Sequence, residues 1–545
     1  MEVEMLDRFH FDMKNDSNLK NSRKGVMPIV KVGLIEKRDF LDFKLTGKFS
    51  VLNDQGIPIL KGVTAPIKWQ LKLENRQQAK YEYSILLEKY FDRTLAEEQE
   101  YKLIEKGVGV TIKNLGCKFY FKKKLASDNT EYWLVVDKLT SEQEANKFAE
   151  EKFADFSYQI IKEKVNEPHA LLELFDNEFE KLGEAENSIR LVPETPAVIT
   201  YIYDLTVDTQ SQNDPQNYAA LRGIIEFRCL DDGKVAAICE MTIEEYVKNV
   251  VAVQMLPDLP EEIIKAQAIA VRSKAVSGFG IKHFDDPFDL CSTDHCQSFS
   301  GAFRIPEVIA DAVKETAGLV LTNKKRVVDA RYSAVCGGHT ESYKNINSGE
   351  IIELYIPVVD SHDQEIFKQY KDLTRSENFK KWVNEEPVTY CNLNHLKNNN
   401  VPNSLRNNYR WHLTYDRDEL EEIISEKSGA EIGALYEIIP VRRGVSGRLL
   451  GIEILASNKN LVLKSESEIC RVLSHDRLPS SCFLIECQID EDGFPINFTF
   501  RGAGSGHGVG LCQAGGIAMA LNEADYTEIL KHYFRGTNLK KIYEV

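Results

Sequence analysis

A short segment brings thiol and imidazole side chains together at a spacing that could bind a metal ion. It reads Cys291-Ser-Thr-Asp-His295-Cys296, with His283 shortly before it. Thiolate and imidazole are the ligands that zinc prefers in tetrahedral protein sites. Two other interpretations stay open, a disulfide between Cys291 and Cys296 or two unrelated buried thiols. The eleven cysteines of the chain are odd in number and widely spread, which is not the pattern of a disulfide scaffold.

A glycine-rich segment near the C-terminus offers a backbone that could lie close to a ligand. It reads GAGSGHGVG over residues 502–510, and glycine has no Cβ to keep a ligand away from the main chain. His507 is the one titratable side chain in this segment. A phosphate-binding loop is disfavoured, because the GxGxxG spacing is absent and no Gly-Lys-Ser/Thr follows.

The tight turn Cys336-Gly-Gly-His339-Thr-Glu341 is a third candidate. A lone cysteine that follows apolar residues is usually part of the core, so Cys336 is predicted to be structural. His339 and Glu341 are candidates for a cleft, and Glu341 is the alternative carboxylate if an acid is needed there.

The chain must fold as several domains to position these residues. Its 545 residues exceed one ordinary core, and about 100–200 residues per domain predicts three or four units. A content of 43% hydrophobic and 28% charged residues is typical of a globular protein. No apolar run approaches the ~20 residues of a membrane-spanning helix. The net charge of −16 argues against a nucleic-acid partner.

Hydrophobic patterns predict an α+β chain with five segments. Residues 1–27 form a leader, residues 28–78 alternate in the manner of strands and hairpins, and residues 79–166 follow the order strand, helix, strand, strand, helix, strand. That order predicts a ferredoxin-like module. Residues 167–216 are interpreted as a connection with one helical stretch, ALLELFDNEFEKL, and residues 217–545 as the core domain.

The core carries five blocks that resemble the SpoIID/LytB family, in the family's order. The first is MTIEEYVKNVVAVQMLPDLPEEIIKAQAIAVRSKAVS, from Met241 to Ser277. The others read FDLCSTDHCQSFSG, AVKETAGLVLTNKKRVVDARYSAVCGGHTES, RRGVSGRLLGIEI and FRGAGSGHGVGLCQAGGIAMALNEADYTEILKHYFRGTNLKKIY. With YRWHLTYDRDELEEIISEKSG they resemble the version of the family seen in Bacteroidetes, from Tyr218 to the end. The resemblance implies a SpoIID-type mixed core and peptidoglycan as the substrate.

Active members of this family are lytic transglycosylases, in which a glutamic acid protonates the glycosidic oxygen. The resemblance places that acid directly before the methionine of a short AxEM-like turn, and this chain reads AVQM there. The position is therefore Gln254, whose amide is not a useful proton donor but can hydrogen-bond a sugar. This favours glycan binding over bond cleavage, with activity weak or lost, unless Asp258 or Glu240 supplies the proton.

The family's zinc cluster of two cysteines and two histidines implies that His283, Cys291, His295 and Cys296 hold a structural zinc ion. His283 lies further upstream of Cys291 than the family pattern places it, so the fourth ligand is the open point. The resemblance also implies that His507 and Gln513 touch the substrate at the wall of the cleft, or position the residues that do.

The module at residues 79–166 weakly resembles a SPOR domain, a peptidoglycan-binding module, in its stretch YWLVVDKLTSEQEANKFAEE. A ferredoxin-like spacer without a ligand fits as well. The preferred interpretation is a peptidoglycan-directed protein of the cell envelope. The alternatives are a non-catalytic enhancer of a cell-wall amidase and an intracellular carbohydrate-binding protein. The first residues, MEVEMLDRFHFDMKNDSN, lack the features of a secretory signal, which leaves a cytoplasmic location as the alternative.

Overall fold

The computed structural model describes residues 22–24, 27–153, 158–204, 218–299, 301, 305–346, 355–396 and 401–544. Helices and mostly antiparallel strands are interspersed along these residues, so the α+β class predicted from the sequence is confirmed. The leader predicted at residues 1–27 falls mostly outside the described residues.

Two sheets pack face to face and form the N-terminal part of the main core. In spatial order, one sheet contains strands Lys181–Glu186, His169–Phe175, Trp69–Gln77, Phe40–Leu45, Thr200–Tyr203 and Tyr218–Leu221. The other contains Leu290–Cys291, Ile29–Arg38, Val235–Thr242, Ile224–Cys229, Ser188–Pro193, Lys48–Asn53 and Pro58–Thr64. The ring centroids of Phe43 and Phe227 are 5.1 Å apart across the interface, and those of Phe49 and Trp69 are 5.6 Å apart. The two inner faces therefore share one core.

Residues 167–216 differ from the connection with a partial helix that the sequence predicts. Strands His169–Phe175 and Lys181–Glu186 form a hairpin where ALLELFDNEFEKL is predicted to be helical. Ala170, Leu172 and Leu174 are fully buried, while the residues between them are half-buried. This alternation has the period of two that a strand requires, so the helix prediction is wrong.

Residues 79–166 contain a separate four-stranded sheet and two helices. In spatial order the strands are Gln159–Asn166, Lys80–Tyr90, Glu131–Leu139 and Thr111–Leu115, and the helices are Arg93–Glu105 and Glu142–Lys152. All neighbouring strands are antiparallel. The spatial order is thus fourth, first, third and second along the chain, which is a ferredoxin-like arrangement. An inserted hairpin, Lys118–Phe121 and Lys124–Asp128, pairs with Ser22–Lys24.

The two faces of this sheet have different neighbours. On one face, Ile85 and Leu134 pack in a core with the two helices. On the other face, Trp133 contacts Phe284, with ring centroids 5.7 Å apart, and Ile281 joins the same hydrophobic cluster. The module is therefore docked on the segment that carries His283.

A group of helices packs with the sandwich and carries several candidate residues. These helices are Ile243–Gln254, Glu261–Ser277, Glu307–Glu315, Gln513–Leu521 and Tyr526–Tyr533. The first begins where the Thr242 hydroxyl accepts a hydrogen bond from the backbone N–H of Glu245. The second follows Pro260, has acidic residues in its positively polarised first turn, and ends at Gly278.

Two short sheets join distant parts of the chain. One contains Arg326–Val327, Leu319–Asn323 and Asn538–Lys541, and the other pairs Tyr332–Ser333 with Leu511–Cys512. The second sheet is parallel, with Ser333 beside Cys512. It places the start of helix Gln513–Leu521, which follows the glycine-rich segment, next to the strand that precedes the Cys336 turn.

Residues 410–503 contain a lobe with its own hydrophobic core. Its two sheets are formed by Arg410–Asp416, Pro495–Ala503 and Phe483–Ile489, and by Leu435–Arg443, Leu449–Ala456 and Leu461–Leu463. Its helices are Arg417–Ser428 and Glu466–Val472. Five further helices precede it among the described residues, at Tyr343–Asn345, Gln364–Tyr370, Ser376–Glu385, Leu393–His395 and Asn403–Asn407. In the described ranges, no helix combines the length and apolar character needed to cross a membrane.

Candidate functional site

The four residues of the predicted zinc cluster converge in the structure. Their donor atoms all lie within 4.8 Å of one another. The Nε2 atom of His283 is 3.4 Å from Cys296 Sγ. The Nδ1 atom of His295 is 3.6 Å from Cys291 Sγ and 3.7 Å from Cys296 Sγ. Both cysteines are free thiols, so this arrangement does not contain the disulfide that the sequence left open.

The donor set of this cluster fits zinc. With a Zn–S distance of about 2.3 Å and a Zn–N distance of about 2.0 Å, sulfur and nitrogen ligands of a tetrahedral site lie roughly 3.5 Å apart. The observed separations are close to that value. A hydrogen bond from Cys296 holds the pKa of the Cys291 thiol well below its ordinary range, against the opposing effect of burial. The same hydrogen bond raises the pKa of the Cys296 thiol, so without a metal it favours the thiolate form of Cys291 alone.

His283 is oriented by its neighbours. Its Nδ1 atom lies 2.7 Å from the Asp286 carboxylate, and its ring centroid lies 4.8 Å from that of Phe288. A carboxylate at one ring nitrogen directs the other nitrogen toward a metal, as is usual for zinc-binding histidines. The long spacing between His283 and Cys291 therefore does not keep His283 out of the cluster.

The glycine-rich loop crosses a buried arginine. Arg448 is 1% exposed, and its guanidinium donates to the carbonyl oxygens of Gly506 and Cys336 at 3.1 to 3.3 Å. A Cβ on Gly508 would lie 2.3 Å from that guanidinium, and Gly508 has a φ of +73°. Only glycine tolerates both conditions. Contacts with the core thus fix the path of this loop, which runs beside the Cys336 turn.

His507, in the same loop, is half-buried and neutral at physiological pH. Burial and the positive charges of Arg331 and Lys274 hold its pKa well below the ordinary value for histidine. Its Nδ1 atom accepts a hydrogen bond from the backbone N–H of Val509 at 2.9 Å. The proton of the neutral ring is therefore on Nε2, which can donate to an oxygen of a ligand.

Gln254 and Gln513 lie at the ends of two helices. Gln254 is the last residue of helix Ile243–Gln254 and is half-buried. Gln513 opens helix Gln513–Leu521 and is 7% exposed, and its amide nitrogen has no hydrogen-bond partner among the described residues. In the described part of the chain, no hydrogen bond joins Gln254 to His507. Their proximity in one cleft stays a prediction.

Glu341, the alternative carboxylate, is buried in the core and fully hydrogen-bonded. It is 1% exposed, and one of its oxygens accepts hydrogen bonds from the backbone N–H of Ser342 and the side-chain amide of Asn345, both at 2.8 Å. The other accepts from the hydroxyl of Ser446 at 2.6 Å and from its backbone N–H at 3.2 Å. The prediction that Glu341 lines a cleft is therefore wrong, because all its acceptor sites face protein donors.

The other polar candidates also have identifiable surroundings. Glu240 forms an ion pair with Arg190 at 2.9 Å, and Asp258 lies exposed in the turn after the Gln254 helix. His339 is 3% exposed, and its two ring nitrogens lie 2.7 and 3.2 Å from backbone carbonyl oxygens. Glu240 and His339 are thus structural residues, and Asp258 is the exposed carboxylate nearest in sequence to Gln254.

Sequence reasoning missed a buried ion pair in the first family-like block. Arg272 is fully buried, and it donates to both carboxylate oxygens of Glu244, at 3.0 and 2.7 Å. Glu244 also accepts hydrogen bonds from the Tyr543 hydroxyl at 2.5 Å and the backbone N–H of Gly318 at 3.1 Å. This two-pronged contact joins two helices to the C-terminal segment. The sequence did not single out this pair, because both helices carry other charged residues, among them Glu245 and Lys265.

Asp329 is a second residue that sequence reasoning missed. One of its oxygens accepts hydrogen bonds from Arg331 Nε at 3.0 Å and from the Tyr343 hydroxyl at 3.1 Å. The other oxygen is buried and has no partner among the described residues. Its charge also acts on His507. One oxygen of this buried carboxylate therefore lacks a protein donor, close to the glycine-rich loop.

Comparisons with known proteins bear on the same regions. The family described as "Stage II sporulation protein" matches residues 231–323, which include Gln254 and the four residues of the zinc-type cluster. A domain of unknown function, DUF8618, matches residues 342–510. An uncharacterised protein of Brachyspira hyodysenteriae is 30% identical over 300 residues, which cover 55% of this chain and 67% of that protein.

Proposed function

We propose that this chain is a peptidoglycan-directed protein of the cell envelope that binds glycan strands, on the premise of its match to the SpoIID family over residues 231–323. The family indicates a cell-wall-related function. In this proposal Gln254, His507 and Gln513 contact the glycan. The neutral His507 supports it as a hydrogen-bond donor, and the unpartnered amide nitrogen of Gln513 is suited to bind a sugar oxygen.

The proposal that this protein binds glycan strands rather than cleaving them rests on the identity of residue 254, a glutamine. A lytic transglycosylase needs a carboxylic acid that protonates the glycosidic oxygen, and this chain has Gln254 at that position. Glu341 and Glu240 are held by hydrogen bonds or an ion pair and offer no replacement, and of the carboxylates named above only Asp258, exposed in the turn after the helix, is left as a candidate. We therefore propose that lytic activity is weak or lost while affinity for the glycan is kept.

In this proposal the cluster of His283, Cys291, His295 and Cys296 holds a structural zinc ion. Four protein ligands leave zinc no open coordination position, so the ion restrains the loop and takes no part in chemistry. The loop also supports the ferredoxin-like module, because Ile281 and Phe284 pack against that module's sheet. The zinc ion thus fixes both the loop and the docking of the module.

Product analysis of digested sacculi tests the role of Gln254. Purified wild type and Gln254→Glu are each incubated with peptidoglycan, and anhydro-muropeptides are quantified by chromatography and mass spectrometry. General acid catalysis contributes about 10²–10⁴ in rate. We expect Gln254→Glu to raise product formation by at least about tenfold, a part of that factor, with little change in binding to sacculi.

Two control variants separate the possible causes. Gln254→Ala removes the amide without adding a carboxyl group, and Gln488→Glu adds a carboxyl group on the exposed end of strand Phe483–Ile489. Neither is expected to raise product formation. A wild type as active as Gln254→Glu would contradict the loss of the acid. Failure of the wild type to pellet with sacculi would contradict glycan binding itself.

The same substitution favours a second candidate function, that of a non-catalytic enhancer of a cell-wall amidase. A protein that holds a glycan strand without cutting it can present the strand to another enzyme. Addition of the wild type to a purified amidase is then expected to raise peptide release without anhydro products. Unchanged amidase activity at saturating protein would exclude this role.

A further inference from the structure

A second group of metal-ligating side chains lies in the core, apart from the cluster that the sequence predicts. Cys336, Asp360, Cys391 and Cys512 are each at most 1% exposed, and their donor atoms all lie within 4.8 Å of one another. Each comes from a different segment: the glycine turn, the loop after Val359, the loop after Tyr390 and the short strand Leu511–Cys512. We call these four residues the core cluster.

The distances in the core cluster match those of a tetrahedral thiolate site. Cys336 Sγ lies 3.5 Å from Cys391 Sγ and 3.4 Å from Asp360 Oδ2. Two sulfur ligands of one zinc ion lie about 3.7 Å apart, and a sulfur and an oxygen ligand lie roughly 3.5 Å apart, given zinc's bond lengths. Cys336 is thus already at ligand spacing from Cys391 and Asp360, and Cys512 Sγ lies within 4.8 Å of all three.

The Asp360 carboxylate is oriented by groups outside the cluster. Its Oδ1 atom accepts a hydrogen bond from the Tyr533 hydroxyl at 2.7 Å and lies 3.3 Å from His532 Nε2. Its Oδ2 atom faces Cys336 Sγ and the backbone N–H of Cys391. Tyr533 and His532 therefore hold one oxygen, while the other oxygen points at the sulfur atoms. Metal-binding carboxylates are commonly oriented by such hydrogen bonds from neighbouring residues.

The sulfur atoms receive backbone N–H groups. Cys512 Sγ accepts from the N–H of Cys336 at 3.1 Å and of Gly515 at 3.5 Å, and Cys336 Sγ accepts from the N–H of Gly338 at 3.4 Å. Such donors stabilise negative charge on sulfur. A closed, buried site of this kind resembles structural zinc sites rather than catalytic ones.

We propose that the core cluster binds a second metal ion, zinc, through three thiolates and one carboxylate. Thiolate-rich tetrahedral sites select soft or borderline ions of this type. On binding, the zinc ion replaces the thiol protons, which pass to solvent, and no redox change is involved. The ion ties the SpoIID-type core to the segments around Asp360 and Cys391, inside the region that matches the domain of unknown function.

The site also bears on the glycine-rich loop. A Cβ on Gly337, next to Cys336, would lie 2.9 Å from the backbone of Gly504, and Arg448 joins Cys336 O to Gly506 O. A metal ion that fixes Cys336 therefore also fixes the backbone on which the His507 loop rests. This inference does not depend on glycan binding, and the number of metal ions bound per chain tests it directly.

Two other states of the same residues are possible and are distinguished by experiment. The 3.5 Å between Cys336 Sγ and Cys391 Sγ could precede a disulfide, and three buried thiols could also persist as a hydrogen-bonded network without metal. Mass spectrometry of protein purified without reductant reports a disulfide. Elemental analysis reports whether metal is present.

The test is zinc stoichiometry in the full-length protein. We expect about two zinc ions per chain in the wild type, about one in Cys291→Ser/Cys296→Ser, and about one in Cys391→Ser/Cys512→Ser. Cys482→Ser is the matched control, because Cys482 is 1% exposed and belongs to neither cluster. It should retain both ions.

Cobalt substitution keeps the test decisive if the core double variant does not fold. Cys291→Ser/Cys296→Ser protein, with its core cluster intact, is loaded with cobalt alone, and thiolate-to-cobalt charge-transfer absorption is expected. Adding the single change Cys391→Ser should lower that absorption. A single zinc ion in the wild type that is lost from Cys291→Ser/Cys296→Ser, no charge-transfer absorption, or a Cys336–Cys391 disulfide in the native protein would each overturn the proposal.

Discussion

The two clusters of ligand-type residues contain similar chemistry but are built in opposite ways. The first is local: His283, Cys291, His295 and Cys296 lie within one loop, and His295 is exposed. The core cluster gathers residues 336, 360, 391 and 512, all buried. One could be recognised from the spacing of its cysteines, and the other could not.

The difference teaches that sequence spacing reveals only those sites whose ligands share a loop. In the proposed zinc-bound form, the first cluster restrains the segment against which the ferredoxin-like module packs. The core cluster joins strands and loops that are otherwise connected through long stretches of chain. Similar ligands therefore hold together a single short segment in the first cluster, and segments from distant parts of the chain in the core cluster.

The largest expected effect is on stability, and it contrasts Cys512→Ser with Cys291→Ser. A metal ion whose ligands are far apart in the sequence closes longer loops of the unfolded chain than one whose ligands are close together. Loss of such an ion therefore lowers the free energy of unfolding more. We expect Cys512→Ser to lower the free energy of unfolding by about 3 kcal/mol or more, and Cys291→Ser by about half as much. Urea denaturation followed by fluorescence measures both. Equal losses of unfolding free energy in the two variants would contradict the predicted difference between the clusters.

Trp133 and Trp382 help to localise these losses. Trp133 packs against Phe284 beside the first cluster, and Trp382 lies against Gly338 in the turn of the core cluster. In variants that retain only one of these tryptophans, loss of the first metal should move the Trp133 signal alone. A change of both signals on loss of either metal would show that the two clusters are not separate units.

The next effect concerns the rate of metal loss. His295 is exposed, whereas every member of the core cluster is at most 1% exposed, so a chelator reaches the core only after local opening. We expect biphasic zinc release to a colorimetric chelator, with phases differing at least tenfold, on the order of 1.4 kcal/mol in opening free energy. His295→Ala should remove the fast phase. A single phase in the wild type would contradict the predicted difference in access.

The smallest effect compares two buried carboxylates, Asp329 and Asp360. Burial raises the pKa of Asp329, but Arg331, Lys282 and Lys274 outweigh it and hold the pKa below its ordinary value. A depressed folded-state pKa contributes stability above the unfolded pKa of about 3.9, and this stability is lost as pH falls through the folded pKa. Asp329→Asn should therefore cost about 1–2 kcal/mol at pH 7, and the difference from the wild type should shrink below about pH 4.

Asp360→Asn is the matched comparison for that experiment. It alters a proposed metal ligand, so it should lower the zinc content by about one ion, whereas Asp329→Asn should keep both. Elemental analysis accompanies the denaturation series. Loss of zinc from Asp329→Asn would show that this carboxylate belongs to a metal site after all.

Much of the architecture could be predicted because it follows local periodicity. The strand and helix order of residues 79–166 gives a ferredoxin-like sheet. The prediction failed at His169–Phe175, where acidic residues between apolar ones suggested a helix. Burial of Ala170, Leu172 and Leu174 on one face made it a strand, and that face is defined only by the opposing sheet.

By itself, the sequence determined the residue types: Gln254 in the AVQM turn, the thiols and imidazoles of residues 283–296, and the glycines around His507. Only the tertiary structure decided which polar groups face donors in the core. It buried Glu341 among four hydrogen bonds and brought Cys512 to Cys336. The physical reason is range: propensity and spacing act over a few residues, whereas the environment of a buried carboxylate or thiol depends on segments that meet only when the chain has folded.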